Sequence, residues 1–273
     1  MLSHGWVQLA PFLWDDSRET LHRTETVASG QAITLEIRWD DALLVSSRQN
    51  LKPFHSELEK KLRRMFQLDV DLREFHALCR ELDSHRGIAK TGFGRLLCGS
   101  SIFEDAVKVI CTTNTTWSQT RRMVGLLVER CGETASDGSK GFPVPQAIAS
   151  LTPEVLKSDC RLGYRSTYVH ALASGAADGN ILLEQLPDPS LPSPELFDRF
   201  RELPGIGPYG AAHLLAMQGR HDFIAVDTEF RRFVREKWHG GRRVLDSTML
   251  RRYSKWGRWQ YLAYWSELWH SAR

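Results

Sequence analysis

The sequence has no close cysteine pair, no long apolar run and no low-complexity tract. Its five cysteines are odd in number and widely spaced, which argues against a disulfide framework or a zinc site. Such usage is typical of a reducing interior compartment. No secretory signal is visible at the N-terminus, and no stretch approaches a membrane span. We therefore expect a protein without a membrane partner, cytoplasmic in a bacterium or nuclear in a eukaryote.

The chain also has little net charge, because 36 Lys and Arg face 33 Asp and Glu, a formal net charge of +3. The charge is uneven, however. From Arg220 to the C-terminus, twelve Lys or Arg face six Asp or Glu. A basic segment is expected where a surface docks on phosphates, although on charge alone a solvated helix face is the favoured explanation. Charge therefore permits a nucleic-acid partner without requiring one.

The first fifty residues carry the alternation of β-strands. Residues 33–39 (ITLEIRW) alternate apolar and polar side chains, and residues 42–46 form a second apolar run after the Asp40-Asp41 turn. Residues 6–9 (WVQL) are a candidate third strand. This pattern predicts an antiparallel sheet with one solvated face.

From Phe54 onward the apolar period is helical. Apolar residues recur at i, i+3, i+4 and i+7 in Phe103, Ala106, Val107 and Ile110. Residues 123–128 repeat the pattern, and polar breaks follow at 132–145 and 186–192. Ser193 and Pro194 are expected to be an N-cap and a first helical residue. The sequence predicts an α+β protein, with a sheet domain and flanking helices over 1–98 and a helical domain over 99–273.

The most specific pattern is LPGIGPYGAA at residues 203–212. An apolar helix ends in a Gly-x-Gly turn, and a new helix starts at once. Glycines permit positive φ and close backbone approach, and a helix N-terminus binds phosphate oxygens. A tight turn between two packed helices explains the same letters, so this motif alone is weak.

A second pattern, IAVDTEF at residues 224–230, follows the helix that leaves the turn. Asp227 stands at the end of a short apolar run and at the start of the next helix. A helix N-cap is the commonest use of aspartate at such a boundary.

Together the two patterns resemble the helix-hairpin-helix, Gly-Pro-Asp (HhH-GPD) superfamily of base-excision DNA glycosylases. Residues 111–114 (CTTN), 141–143 (GFP) and 162–165 (LGYR) with Tyr168 resemble its 8-oxoguanine and 3-methyladenine glycosylase branch. The resemblance covers about residues 50–235, and it implies a small TBP-like antiparallel sheet domain followed by a two-lobed all-α domain.

The resemblance also assigns roles around the hairpin. It makes Asp227 the catalytic carboxylate that stabilises positive charge on the sugar and activates water. The DNA backbone would be bound by Gly205, Ile206, Gly207, Tyr209 and Gly210. Tyr209 stands where bifunctional relatives carry a lysine that forms a Schiff base, and a phenol cannot form an imine. We therefore expect a monofunctional enzyme that uses water and has no lyase activity.

Base flipping leaves a gap that side chains must fill. By resemblance, Asn114 would enter the gap, Tyr164 would wedge beside it, and Arg165 would contact the estranged base. Gln119 replaces a second arginine of the branch, which weakens any strict reading of an opposite cytosine. A helix cap and a core aromatic are the structural alternatives for Asn114 and Tyr164.

The base pocket is expected among aromatic side chains, which stack on bases and attract electron-poor alkylated ones. Most C-terminal rings are expected to pack in the core. The pocket candidates are Tyr209, Glu229, Trp265 and Trp269, with His4, Gly5 and Trp6 as a further approach.

The resemblance further implies partners and cofactors. The expected partner is double-stranded DNA containing a damaged base, bound by a monomer. No cysteine follows Cys160, so the C-terminal iron–sulfur cluster of many relatives is not expected, whereas a monovalent cation at the hairpin is compatible. The expected substrate is an oxidised or alkylated purine. The alternatives are a uracil or thymine-mismatch glycosylase, a catalytically silent DNA-binding protein and a helical adaptor.

Overall fold

A computed structural model describes residues 5–82 and 85–271. It begins with a short 3-10 helix and a four-stranded sheet, whose strands are β1 (Phe12–Asp15), β2 (Thr20–Thr26), β3 (Ala32–Asp40) and β4 (Ala42–Ser46). The strands pair in chain order, and every pair is antiparallel. The predicted small antiparallel sheet followed by a helical body is confirmed.

The rest of the described chain is helical. Its α-helices are α1 (His55–Met65), α2 (Arg73–Glu81), α3 (Arg86–Lys90), α4 (Ile102–Thr112), α5 (Trp117–Cys131), α6 (Pro145–Ala149), α7 (Pro153–Asp159), α8 (Arg165–Ala177), α9 (Ser193–Arg201), α10 (Pro208–Met217), α11 (Thr228–His239), α12 (Asp246–Arg251) and α13 (Gln260–Ser271). Within the described ranges, no helix is both long enough and apolar enough to cross a membrane.

Contacts divide the chain into two compact units. The first comprises Met1–Phe66, Leu97–Leu186 and Leu203–Gly205, and the second comprises Gln67–Leu96, Pro187–Glu202 and Ile206–Arg273. The first unit therefore contains the sheet, α1 and α4 to α8, while the second contains α2, α3 and α9 to α13. The predicted division along the chain, 1–98 and 99–273, stays a prediction.

Two details of the sheet differ from the prediction. Residues 6–9 were expected as a strand, but Gly5–Gln8 is a 3-10 helix with Trp6 and Val7 buried. The sequence pattern also missed β1 and β2. Strand β2 lacks apolar alternation because its buried positions include Arg23 and Glu25, which are 1% and 2% exposed.

A buried ionic cluster explains how these charges are accommodated in the first unit. The Arg23 guanidinium donates to both Glu104 carboxylate oxygens at 3.0 and 2.6 Å and also to Glu25. The Lys108 ammonium donates to Glu104 at 2.6 Å, and both cations lie over the Phe12 ring. Buried charges are tolerated only when they are paired in this way. The cluster therefore fixes α4 against β2.

Helix α4 and helix α5 follow the predicted period. The apolar positions Phe103, Ala106, Val107 and Ile110 are all buried in α4, and the same holds for the predicted set in α5. Helix α9 starts at Ser193, so the N-cap is Pro192 and not Ser193 as expected. The Ser193 hydroxyl instead donates to the Asp222 carboxylate at 2.7 Å.

Candidate functional site

The turn between α9 and α10 has the backbone that its glycines predict. Gly205 has φ of +75°, in the left-handed region that favours glycine. Gly207 is extended and is the N-cap of α10, with Pro208 in the first turn. A glycine cap has no side-chain acceptor, and the first turn contains no acidic residue. The positive end of the α10 dipole is therefore not neutralised by an adjacent carboxylate.

Gly205 is also needed for close packing within the first unit. A Cβ added there would lie 2.8 Å from Cβ of Tyr168. Gly207 has nothing within 4 Å of the corresponding position and is exposed. Of the other hairpin candidates, Ile206 and Gly210 are buried, whereas Tyr209 is half-buried. Both the backbone conformation and the packing therefore require a glycine at position 205, whereas a side chain at position 207 would have open space around it.

Asp227 combines a structural role with partial burial. It is the N-cap of α11, and its Oδ1 accepts a hydrogen bond from the Phe230 amide at 2.7 Å. Burial raises the pKa of this carboxyl, and the negative charge of Glu229 adds to the increase, although the Phe230 amide opposes it. A half-buried carboxylate has lost part of its hydration. It therefore interacts more strongly with a nearby positive charge than a carboxylate in water does.

The carboxylate has an aromatic neighbour in the same unit. The pKa of the Tyr264 hydroxyl is raised by burial and, next in importance, by the charge of Asp227. Tyr264 is 3% exposed and packs edge-on against Phe230, with ring centroids 5.0 Å apart. The buried phenol of Tyr264 therefore lies within electrostatic range of the Asp227 carboxylate.

Further rings form an aromatic cluster, defined as Tyr209, His213, Tyr261, Tyr264 and Trp265. Ring centroids are 5.7 Å apart for Tyr209 and His213, and 6.3 Å for His213 and Tyr261. Tyr261 stacks on Trp265 at 6.0 Å with an interplanar angle of 6°, and it meets Tyr264 edge-on. The cluster thus connects the first turn of α10 with the ring beside Asp227.

Two members of the cluster are partly exposed. Tyr209 and Trp265 are half-buried, while His213, Tyr261 and Tyr264 are buried. Burial lowers the pKa of His213 to about 4, so its imidazole is neutral near pH 7. Sequence reasoning missed His213, although its position four residues after Tyr209 places it on the same face of α10.

The other pocket candidates have different surroundings. Glu229 forms an ion pair with Arg232 at 2.5 Å, so its carboxylate is engaged on its own helix. Trp269 lies one turn beyond Trp265 in α13 and is half-buried. Trp6 is buried and donates to Asp105 at 2.9 Å, while His4 lies outside the described residues. Their assignment to the pocket stays a prediction.

The first unit contains the residues expected to fill the DNA gap. Asn114 follows the end of α4 with φ of +46°, a conformation that asparagine tolerates better than most residues. Its Nδ2 donates to the Tyr164 hydroxyl at 3.3 Å. Tyr164 is 53% exposed and meets the 43% exposed Tyr168 edge-on. The structure therefore brings Asn114 and Tyr164 together on an exposed surface.

Arg165 lies beside Asn114 and is buried, and its predicted contact with the estranged base stays a prediction. It is 7% exposed, and its guanidinium donates to the carbonyl of Thr113 and, at 3.2 Å, to the carbonyl of Asn114. The guanidinium also lies 4.6 Å from the Tyr164 ring centre. In this conformation Arg165 holds the turn that carries Asn114.

Gln119 is likewise engaged in local structure. It completes a capping box with Thr116 at the start of α5, and its Oε1 accepts from the Thr115 hydroxyl at 2.7 Å. The amide therefore stabilises the helix start in this conformation.

The comparisons with known proteins identify the family and the fold. Residues 107–258, more than half of the 273-residue chain, match the HhH-GPD superfamily base excision DNA repair protein family. The chain belongs to this superfamily of helix-hairpin-helix DNA-repair proteins.

Two solved structures show the same fold. A 3-methyladenine DNA-glycosylase from Archaeoglobus fulgidus is 18% identical with a TM-score of 0.77, and the match covers 98% of this chain and 92% of that one. An 8-oxoguanine glycosylase/lyase from Clostridium acetobutylicum, in complex with double-stranded DNA, is 16% identical with a TM-score of 0.75 and coverages of 99% and 92%. Since both branches match at low identity, these likenesses establish the fold and leave the substrate open.

Proposed function

We propose that this protein is a monofunctional DNA glycosylase that binds duplex DNA, flips a damaged purine and hydrolyses its N-glycosidic bond. The observation that carries the proposal is the half-buried Asp227 carboxylate, which caps α11 at the motif's aspartate position in a base-excision repair family. For DNA binding alone, a carboxylate there would be unfavourable because it repels phosphates.

The hairpin supplies the DNA contact in this proposal. The N-terminus of α10, capped by Gly207, offers backbone amides and a positive dipole end to a phosphate oxygen. Such a contact positions the strand without reading sequence. The monovalent cation expected at the hairpin stays a prediction, and no step of the proposed reaction depends on it.

Asp227 then acts on the flipped nucleotide. As the glycosidic bond breaks, positive charge develops at C1′ of the sugar, and the carboxylate stabilises this charge. The same group orients a water molecule and accepts its proton as oxygen bonds to C1′. The products are a free base and an abasic site.

A water nucleophile follows from the side chains available. Tyr209 occupies the lysine position of the bifunctional relatives, and no lysine occurs between Lys157 and Lys237. Without a lysine amine, the hairpin cannot form a Schiff base with the sugar, and the β-elimination that would follow from it is not expected.

The partly exposed rings of the aromatic cluster support a damaged purine as substrate. Tyr209 and Trp265 offer electron-rich faces, which bind a cationic N-alkylated purine more strongly than a neutral base. An oxidised purine would stack on the same rings without that extra attraction, so we rank alkylated purines first.

The test uses duplexes that each carry one lesion, incubated with enzyme and then with hot alkali. Alkylated and oxidised purines, uracil and a thymine mismatch form the panel. We expect strand cleavage at an alkylated purine only after alkali. Cleavage without alkali, with an adduct trapped by borohydride, would show a lyase mechanism. Salt-sensitive DNA binding with no base release would identify the silent binder instead.

We also propose that Asn114 enters the vacated gap with Tyr164 beside it, and that Arg165 is a positioning residue. The buried guanidinium fixes the carbonyls of Thr113 and Asn114, and thereby the left-handed turn. With Gln119 engaged in its capping box, neither side chain is presented for reading the opposite base. We therefore expect excision rates to differ little among the four opposite bases.

Arg165→Lys and Arg165→Ala distinguish positioning from reading. A positioning role predicts weaker activity by about tenfold, corresponding to about 1.4 kcal/mol, with the same ratio of rates opposite all four bases. Asn114→Ala is the matched variant that removes the gap-filling side chain directly. A changed opposite-base ratio in the Arg165 variants would assign Arg165 to base reading instead.

A further inference from the structure

Cys131 differs from the other cysteines in its surroundings. It ends α5 and is half-exposed, whereas Cys79, Cys98, Cys111 and Cys160 are buried with 0% exposure. Cys131 also lines a cavity of ≈ 390 Å³ within the first unit, together with Thr26, Lys61, Glu133 and Val144. A small solute therefore has room to reach this thiol.

Cys160 is the immediate partner of this thiol. It is the C-cap of α7, a helix that packs against α5 in the first unit, and the two thiols are near enough that each is the leading influence on the pKa of the other. The residues just before the two cysteines are also joined, since Arg130 and Asp159 form an ion pair with Nε and Oδ2 3.3 Å apart. The two helix ends are therefore held together on both sides of the thiol pair.

The charges near the pair favour a nucleophilic sulfur at Cys131. The hydrogen bond with Cys160 lowers the pKa of Cys131, and the cations Arg130 and Lys140 act in the same direction. Burial and the charge of Asp159 oppose this lowering at Cys131 without reversing it. At Cys79 and Cys111 burial dominates and raises the pKa to about 11 and about 12. Because the thiolate is the reactive species, oxidation should select Cys131.

We propose that Cys131 and Cys160 form a peroxide-oxidisable dithiol, a modification site in which Cys131 reacts first and Cys160 resolves the product. The Cys131 thiolate attacks one oxygen of hydrogen peroxide, an S–O bond forms, the O–O bond breaks, and the departing hydroxide takes a proton to become water. The sulfur of Cys160 then attacks the sulfenic sulfur. An S–S bond forms, the S–O bond breaks, and a second water leaves with the Cys160 proton. The two sulfurs together lose two electrons to the peroxide, and an external dithiol reverses the reaction by exchange.

The sequence allows each thiol to be followed separately. Trypsin cleavage after Arg130, Lys140, Lys157 and Arg161 puts Cys131 in peptide 131–140 and Cys160 in peptide 158–161. The other three cysteines fall in peptides of their own. The full-length protein is treated with a small excess of hydrogen peroxide, its remaining thiols are alkylated, and the digest is analysed by mass spectrometry.

We expect peptides 131–140 and 158–161 to be joined with the loss of two hydrogen atoms, and dithiothreitol to separate them. Native alkylation of Cys131 should be at least about tenfold faster than that of Cys79, the buried internal control. Cys160→Ser should leave a sulfenic acid on Cys131 that dimedone traps, and Cys131→Ser should leave Cys160 reduced. The peptide map of the unmodified chain provides the test even if a variant fails to fold.

Three results would overturn the proposal. The first is oxidation of Cys131 to sulfonic acid with no joined peptide. The second is a Cys131 that is no more reactive than Cys79. The third is a joined peptide found only in dimers on a non-reducing gel, since that bond would link two chains.

Discussion

The substitution Asp227→Asn separates the two roles of the central carboxylate. Asparagine caps a helix about as well as aspartate, so the acceptor for the Phe230 amide, now 2.7 Å from Oδ1, is kept. The negative charge is removed. The variant should therefore fold normally and lose its chemistry.

The expected loss of activity follows from the role assigned to the charge. Removing one preorganised electrostatic group from a transition state typically costs about 2.7–4 kcal/mol, or about 10²–10³-fold in rate. Because Asp227 also activates water in the proposed reaction, we expect the upper end of this range or more. DNA affinity should not fall, because a carboxylate repels phosphates.

The expected effect on stability has the opposite sign. Burial raises the pKa of Asp227, which means that the folded state disfavours the charged form and that ionised Asp227 costs stability near neutral pH. This cost is relieved as pH falls towards the carboxyl's pKa. The neutral amide avoids it. A gain of up to about 1 kcal/mol, or about 2–4 °C in Tm, is therefore expected.

The assay compares single-turnover base release, DNA binding and Tm for the wild type and Asp227→Asn across a range of pH. Wild-type activity should decline on the acid side at a higher pH than an ordinary aspartate would give, and the variant should lack this limb. Asp227→Ala, which removes the cap as well, should be about 1 kcal/mol less stable than Asp227→Asn. Base release by Asp227→Asn at more than a tenth of the wild-type rate would refute the reasoning.

Two further predictions concern packing and buried charge. Gly205→Ala should destabilise the fold by more than about 1 kcal/mol, because φ is +75° and the new methyl would lie 2.8 Å from the Tyr168 Cβ. Gly207→Ala, which has open space around the new methyl, is the control in the same denaturation experiment. Equal stability of the two variants would contradict the assigned backbone strain. Glu104→Gln should cost about 3–5 kcal/mol because it removes the carboxylate that two buried cations share, of which only Arg23 keeps a second one, Glu25. The control Glu236→Gln, on the exposed face of α11, should change stability by less than about 0.5 kcal/mol. Burial alone would raise the pKa of Glu104, but the charges of Arg23 and Lys108 outweigh it and lower that pKa. The stability that the ionised Glu104 contributes is therefore present above the pKa of the carboxyl in the unfolded chain, and it is lost as pH falls from there towards the lower pKa of the folded state. Acid denaturation that is identical in wild type and Glu104→Gln would contradict this.

Sequence periodicity predicted the elements whose burial follows a simple pattern. Strand β3 alternates apolar and polar residues over most of its length, and α4 and α5 have apolar faces at helical spacing. Apolar alternation did not predict strand β2, because the charged residues Arg23 and Glu25 occupy buried positions there. Arg23 is paired with Glu25 two residues away and also with Glu104 81 residues away, and no local pattern reveals the second pairing.

The candidate site was likewise predicted only in those features that depend on short motifs. The sequence identified the Gly-x-Gly turn, Asp227 as a helix cap, and Tyr209 in place of a lysine, because each depends on residue type within a short motif. It did not show that the Arg165 guanidinium is buried against the Asn114 turn, and the predicted contact of Arg165 with the estranged base stays a prediction. Hydrogen bonds across fifty residues are not visible in a motif.

The sequence by itself therefore determined the chemistry that the hairpin can offer: a carboxylate is present, an amine is missing, and two glycines allow the turn. Only the tertiary structure decided how these groups are tuned. Burial raises the pKa of Asp227. Packing joins Tyr209 through His213 to the C-terminal rings, and it leaves Cys131 more exposed than the other four cysteines. The physical reason is that desolvation and through-space charge depend on distances between residues remote in the chain, whereas motif chemistry depends on residue identity alone.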